Sequence, residues 1–176
     1  MSTLLETGRL TLREMTQADF PALAAIMQDK ETMYAYEGAF TDAETHAWLD
    51  RQLTRYQKDG FGLWAVVLKE SGEMIGQMGI TWQPVEELMV PEIGYLFNRA
   101  YWHRGYAAEA AAACREYAFD TLGFPEIFSI IRDTNLASMN VAIRNGMTIR
   151  RRFVKHYRGV DMPHFLFGVK NTGMFR

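Results

Sequence analysis

Polar and apolar positions alternate over residues 9–14 (Arg-Leu-Thr-Leu-Arg-Glu), the period of a half-buried strand. Thr16, a candidate N-cap, then opens an apolar-periodic helical stretch that runs to about Met27. Residues 30–41 mix aromatic, acidic and glycine positions and read as a loop, after which Thr41 caps a second helical stretch to about Lys58. Residues 63–69 and 73–83 are strand-like and joined across Glu70-Ser71-Gly72, a hairpin signal; Gly76 and Gly79 mark bulges or close backbone approach. A strand over 89–97 is followed by an Ala-rich helix over 105–122 with Gly123 as its stop. The short apolar run 126–131 has the character of a strand buried on both faces, and 136–145 is a short helix ended by Gly146. Strands over 148–158 and 162–169 close the chain. Strands and helices are interspersed, and the strand–helix–strand unit over 89–131 implies a right-handed parallel crossover. The pattern predicts a mixed sheet covered by helices.

Composition narrows the class. The 176 residues are one domain's worth, 48% are hydrophobic, and no apolar run approaches the roughly 20 residues of a membrane helix. The first residues, Met-Ser-Thr-Leu-Leu-Glu, carry neither a basic lead nor a long apolar stretch, which points to the cytoplasm and away from a membrane. One cysteine, Cys114, excludes an internal disulfide, and His46, His103, His156 and His164 have no metal-ligand spacing, so no metal site is expected. The net charge of −2 hides an asymmetry: residues 1–98 hold 7 Lys/Arg against 15 Asp/Glu, and residues 99–176 hold 12 against 6. The sign suits an anionic ligand beside the second half and a cationic one beside the first. Residues 144–158 hold six Lys/Arg and no acid, which raises nucleic acid as a partner, but no aromatic–basic single-strand motif accompanies them.

The chemistry concentrates after the strand that ends at Phe97. Trp102, His103, Arg104, Gly105, Tyr106 and Ala107 lead into a helix, placing free backbone N–H groups, the positive end of a helix dipole and a fixed cation together, as a diphosphate requires. Taken alone, the same loop reads more readily as an ordinary helix start with a solvated Arg104.

In order along the chain, Glu92-Ile93-Gly94-Tyr95, Trp-His-Arg-Gly-Tyr-Ala-Ala-Glu-Ala, Asn135-Leu136-Ala137-Ser138-Met139-Asn140 and Arg144-Asn145-Gly146-Met147 resemble the GNAT superfamily of acetyl-CoA-dependent N-acetyltransferases. The nearest resemblance is to the branch of ribosomal-protein N-terminal (alanine) acetyltransferases, whose first strand looks like residues 4–15 here. The resemblance implies the GNAT fold, of α+β (mixed α/β) class, with a central, mostly antiparallel mixed sheet of six to seven strands flanked by helices and one domain over 1–176. It implies that residues 102–107 hold the coenzyme A pyrophosphate through backbone amides, that Tyr95, Leu96 and Phe97 pair with the pantetheine arm, and that Asn135 and Asn140 contact the coenzyme. A splay between the Glu92 strand and the Glu126 strand would admit the thioester, with a strand amide polarising its carbonyl. Trp102 stands where many members carry Gln or Arg, and Ala142 where many carry a Tyr that protonates the leaving thiolate. In the nearer branch that role falls to the serine matching Ser138. Asn135 and Ser138 also read as a plain helix cap.

Glu92 is the candidate base. An α-amine with a pKa near 7.8 is roughly 14% neutral at pH 7 and a lysine amine only about 0.04%, so an α-amine needs only a modest base. By the resemblance, residues 30–41 form the acceptor wall, with Tyr34, Tyr36, Glu37 and Phe40 available to an amine-bearing chain. The expected function is acetyl transfer from acetyl-CoA to a primary amine in a ternary complex, a protein N-terminal α-amine being favoured. A small-molecule acceptor (antibiotic, polyamine or amino acid) and a non-catalytic acyl-CoA-binding module are the alternatives, and a homodimer is left open.

Overall fold

The computed structural model describes residues 2–173; the expected domain's first residue and its last three lie outside them. Its strands are β1 (Thr3–Glu6), β2 (Leu10–Arg13), β3 (Leu63–Leu68), β4 (Met74–Val85), β5 (Leu88–Phe97), β6 (Glu126–Arg132), β7 (Thr148–Tyr157) and β8 (Val160–Lys170). The helices are α1 (Phe20–Met27), α2 (Asp42–Asp59), α3 (Tyr106–Asp120) and α4 (Leu136–Arg144). All eight strands form one sheet in the order β1-β2-β3-β4-β5-β6-β8-β7, antiparallel everywhere except between β5 and β6.

The sheet thus has eight strands where six to seven were expected. The addition is β1, whose Thr-Leu-Leu-Glu places two apolar residues side by side and gives no alternation to read. It is held at the edge through Thr7, whose hydroxyl receives the Leu10 amide at 3.0 Å. Thr16 caps a 3-10 turn, Gln17–Asp19, rather than α1 itself, because Pro21 lacks the N–H that a helix interior needs and sits in the first turn of α1. The β6 strand is not buried on both faces: Ile127, Ser129 and Ile131 are buried while Phe128 and Ile130 are only partly covered.

Successive residues of β3 face opposite layers. Leu63 and Ala65 pack with Leu23, Ile26 and Leu49 of α1 and α2, and Trp64 and Val66 pack with Ala110, Cys114 and Ala118 of α3. The alanines of α3 let it lie close on the sheet. A capping box between Thr41 and Glu44 starts α2, each satisfying the other's backbone N–H, a device worth about 1 kcal/mol, and Gly60 ends it at φ 78°. Close approach explains Gly79: a Cβ there would stand 1.9 Å from the Gly62 carbonyl oxygen.

One feature positions the site. The parallel pair β5–β6 has a single paired position, Glu92 with Phe128, while β5 pairs with β4 along its whole length, from Leu88 to Phe97. The strands then part, and Ser129 Oγ donates to the Ile93 carbonyl at 2.8 Å across the start of the gap.

Candidate functional site

Two cavities open from the gap, and Thr32, Tyr95, Leu96, Asn135 and Ser138 line both.

The first, of about 470 Å³, runs along Tyr95, Leu96 and Phe97 to the start of α3. Asn98 Oδ1 accepts from the Ala100 amide at 3.0 Å and starts a 3-10 turn, and the Trp102 indole N–H returns to the Phe97 carbonyl at 2.9 Å. His103 and Gly105 both take left-handed backbone (φ 61° and 79°), so the chain reverses twice before α3 begins. Gly105 brings no side-chain cap, which leaves the amides of Tyr106, Ala107 and Ala108 without a helical acceptor at the positive end of the helix. Trp102, His103, Gly105, Tyr106, Ala107 and Asn140 all line this cavity. Arg104 does not: its guanidinium lies 5.6 Å from the Tyr101 ring centroid, and the cation in the wall is Arg144.

Arg9, which the sequence pattern presents only as an outward strand residue, holds this loop in place. Its Nε meets Glu109 Oε2 at 2.7 Å, its Nη1 donates to the Arg104 carbonyl at 3.0 Å, and its guanidinium covers the Tyr106 ring at 4.4 Å. Thr7 Oγ1 and the Arg9 amide also donate to Glu109 Oε1, and these bonds hold the Glu109 carboxyl below its ordinary range despite some burial. No local pattern signals contacts 100 residues apart.

On the shared wall, Asn135 caps α4, its Oδ1 accepting the Ser138 amide at 3.2 Å. The cap reading of Asn135 is seen directly, and the residue also lines each cavity. The Tyr95 hydroxyl donates to the Ser138 carbonyl at 2.7 Å, spanning from β5 to α4. Burial pushes the Tyr95 hydroxyl far above its ordinary pKa.

The second cavity, about 600 Å³, lies on the far side of that contact. Glu92 lines it, and burial raises its carboxyl to about 7 against the opposing pull of Lys155 and Arg55. Tyr36 stands among Phe40, Trp48 and Tyr157, with ring centroids 6.3–6.4 Å away and near-perpendicular planes. Of the expected acceptor wall, Tyr36 and Phe40 line this cavity. Tyr34 lines the first cavity instead, and Glu37 lines neither, its carboxylate held by Arg132 at 2.6 Å.

The acidic character expected beside the first half of the chain is absent from this wall. It carries Arg51, Arg55, Arg132, Lys155 and Arg158 against Glu44 and Glu92. The half-chain count includes carboxylates that sit elsewhere, among them Glu6, paired with Lys69, and Asp19, paired with Arg13. The basic run Arg150-Arg151-Arg152 is likewise spoken for, by Glu126, Glu86 and Asp133. No group of three or more His, Cys, Asp or Glu able to hold a metal occurs among the described residues.

The described helices include none long and apolar enough to cross a membrane. A family model for the acetyltransferase (GNAT) domain matches residues 9–148. The Bacillus subtilis protein YkkB is 37% identical over 154 residues, covering 85% of this chain and 90% of that one. A crystal structure of an acetyltransferase from Agrobacterium tumefaciens superposes with a TM-score of 0.80 at 33% identity, over 97% of this chain and 95% of the other. RimL, a ribosomal L7/L12 α-N-protein acetyltransferase solved in complex with coenzyme A, shares the fold at 17% identity, with a TM-score of 0.77 over 96% of this chain and 98% of its own. With the family model covering most of its length, on a sheet opened between its two parallel strands, the chain belongs to the GNAT family of N-acetyltransferases, enzymes that move an acyl group onto an amine.

Proposed function

We propose that the chain, acting as one domain, transfers acetyl from acetyl-CoA to a primary α-amine in the cytoplasm. One observation carries the reading: two cavities of different chemistry meet at Tyr95, Leu96, Asn135 and Ser138, beside a carboxyl whose pKa stands at about 7. The first cavity has what a coenzyme A end would use, namely first-turn amides of α3, a glycine at its head and an apolar, aromatic wall. When bound there, acetyl-CoA supplies an acetyl group activated as a thioester, which the amine takes by direct attack while coenzyme A leaves as the thiol.

The chain's own residues then have three tasks. Residues 103–107 fix the donor through main-chain N–H groups, and Tyr95, Leu96 and Phe97, unpaired with β6, offer strand edges to its arm. Glu92 takes the proton of the incoming ammonium. With its carboxyl at about 7 and an α-amine near 7.8, proton transfer costs on the order of 1 kcal/mol, whereas a lysine amine costs about 5 kcal/mol. Ser138 would give its hydroxyl proton to the leaving thiolate, a role supported by its position at the junction, where Tyr95 and Asn135 tie its backbone and leave its hydroxyl out of those bonds.

The protein N-terminus is the favoured source of the α-amine, in line with the fold shared with RimL. A free small-molecule amine is the second reading, favoured by an acceptor-side cavity crowded with charged side chains. Thiol release from acetyl-CoA with a panel of peptides and free amines tests both. Acetylation of α-amines in preference to lysine side chains is the expected result. Coenzyme binding without acetylation of any amine would leave an acyl-CoA-binding module.

A further inference from the structure

The acceptor-side cavity holds more positive charge than its own carboxylates balance. Two of its five cations are paired: Arg158 with Glu44 at 2.7 Å, and Arg132 with Glu37 at 2.6 Å. Arg51, Arg55 and Lys155 make no ion pair within 4.0 Å among the described residues. The contact of Arg51 is with the Trp48 ring, 5.8 Å away, and Arg55 Nη1 donates to the neutral Gln52 Oε1 at 3.2 Å. The remaining carboxylate in the wall is Glu92.

Arg51 and Arg55 stand one turn apart on α2, and Lys155 comes from β7, so the cations approach the cavity from two elements. Arg51 is exposed, but Arg55 is half-buried, and a half-buried guanidinium cannot shed its charge and is costly without a counter-ion. Burial and the neighbouring Arg51 already pull the Arg55 value down. The reaction sharpens the imbalance, because once Glu92 has accepted the amine's proton the wall has lost its free negative charge.

Resting on the acetyl-transfer reading, we propose that the acceptor is an amine that carries its own anionic group, held by Arg51, Arg55 and Lys155 while the amine faces Glu92. The group is a carboxylate, borne either by a free amino acid or by an acidic residue just inside a peptide N-terminus. Aliphatic polyamines, cationic at several positions, are excluded by the same wall.

The test compares four acceptors with the intact protein and acetyl-CoA: serine, serine amide, and the amidated dipeptides Ser-Asp and Ser-Asn. The anionic member of a pair is expected to have kcat/KM higher by about tenfold, the worth of one good charge pair. Preference within the first pair identifies a free amino acid as the source, and preference within the second a peptide. Arg51→Gln and Arg51→Met, which leave Lys155 and Arg55 beside Glu92 in place, should raise KM for the anionic acceptors several-fold more than KM for the neutral ones. Equal kcat/KM within both pairs overturns the inference, as do variants that slow charged and neutral acceptors alike. Calorimetry with N-acetylserine and its amide, and with the N-acetylated, amidated dipeptides Ser-Asp and Ser-Asn, in the presence of coenzyme A decides the matter independently of turnover. Tighter binding of the anionic product supports the site even if no amine in the panel reacts, an outcome that would count against the acetyl-transfer reading alone, and equal affinity removes it.

Discussion

On one side of the Tyr95–Ser138 hydrogen bond the wall carries glycine, small residues and aromatic rings with one arginine; on the other an aromatic cluster is joined by charged side chains from α2, β5, β6 and β7. The first cavity would recognise its ligand through amides and a dipole that no side-chain substitution removes. The second would recognise its ligand through residues that any mutation can exchange. On the proposed reading, that division would hold the donor by backbone and the acceptor by side chains.

The largest effect should come from attacking the backbone side. Gly105→Glu places a carboxylate at the amides proposed to hold the pyrophosphate and should weaken coenzyme A binding by two orders of magnitude or more by calorimetry. Gly105→Asn, which tolerates the φ of 79° without adding charge, should lose far less and separates charge from backbone strain. A folded Gly105→Glu protein with unchanged affinity would place the phosphates elsewhere.

Next in size is Glu92→Gln, expected to lower kcat/KM by about 10²-fold and to leave coenzyme A affinity alone. In the wild type the acidic limb of kcat/KM should have its midpoint near 7, and the variant should lose that limb. Stability gives a second readout with a definite sign. The folded carboxyl stands at about 7 and the unfolded one at 4.5, so the unfolded chain releases its proton first as pH rises. Wild type should therefore lose stability between pH 4.5 and about 7 relative to Glu92→Gln, seen as Tm curves that diverge across that window.

Ser138→Ala probes the shared wall. It should reduce kcat by roughly tenfold with little change in coenzyme A affinity if the hydroxyl supplies the thiolate's proton. Turnover within about twofold of wild type would leave Ser138 as a helix residue only.

The smallest effect is expected at Arg9→Met, which keeps the stem but removes the ties to Glu109, the Arg104 carbonyl and the Tyr106 ring. Arg9 is nearly half exposed, so a loss of about 1 kcal/mol in coenzyme A binding is the expected scale, with acceptor KM unchanged.

The same division explains what the sequence made legible. The proposed donor side would use one continuous stretch, Trp102 to Ala107, whose glycine and small residues are visible as a motif because main-chain recognition demands them locally. Strands with clean alternation, such as β2, and helices with a clear cap, such as α2, were equally readable. The acceptor side could not be read that way. Arg51, Arg55 and Lys155 look like solvated surface cations, and only the fold carries Lys155 of β7 to α2. Glu37 had the right character and neighbourhood, yet the left-handed turn at φ 59° brings it to Arg132 instead. The net charge of half a chain says little about a cavity assembled from both halves.

The seam between β5 and β6 has a consequence for how the molecule opens. With one paired position, Glu92 with Phe128, the hydrogen-bond ladder does not weld β1–β5 to β6, β8 and β7. Cohesion across the seam comes from the apolar layer under α3, where Ala110, Cys114 and Phe119 gather Trp64 and Ile80 from one side with Ile127 and Phe167 from the other. Burial of that kind weakens on cooling, while amide ladders inside each half do not share that dependence. In native-state hydrogen exchange the two parts of the sheet should then behave as separate cooperative units, with the amides bordering the seam exchanging through the smallest openings. Filling the gap with a ligand should fuse the two units into one.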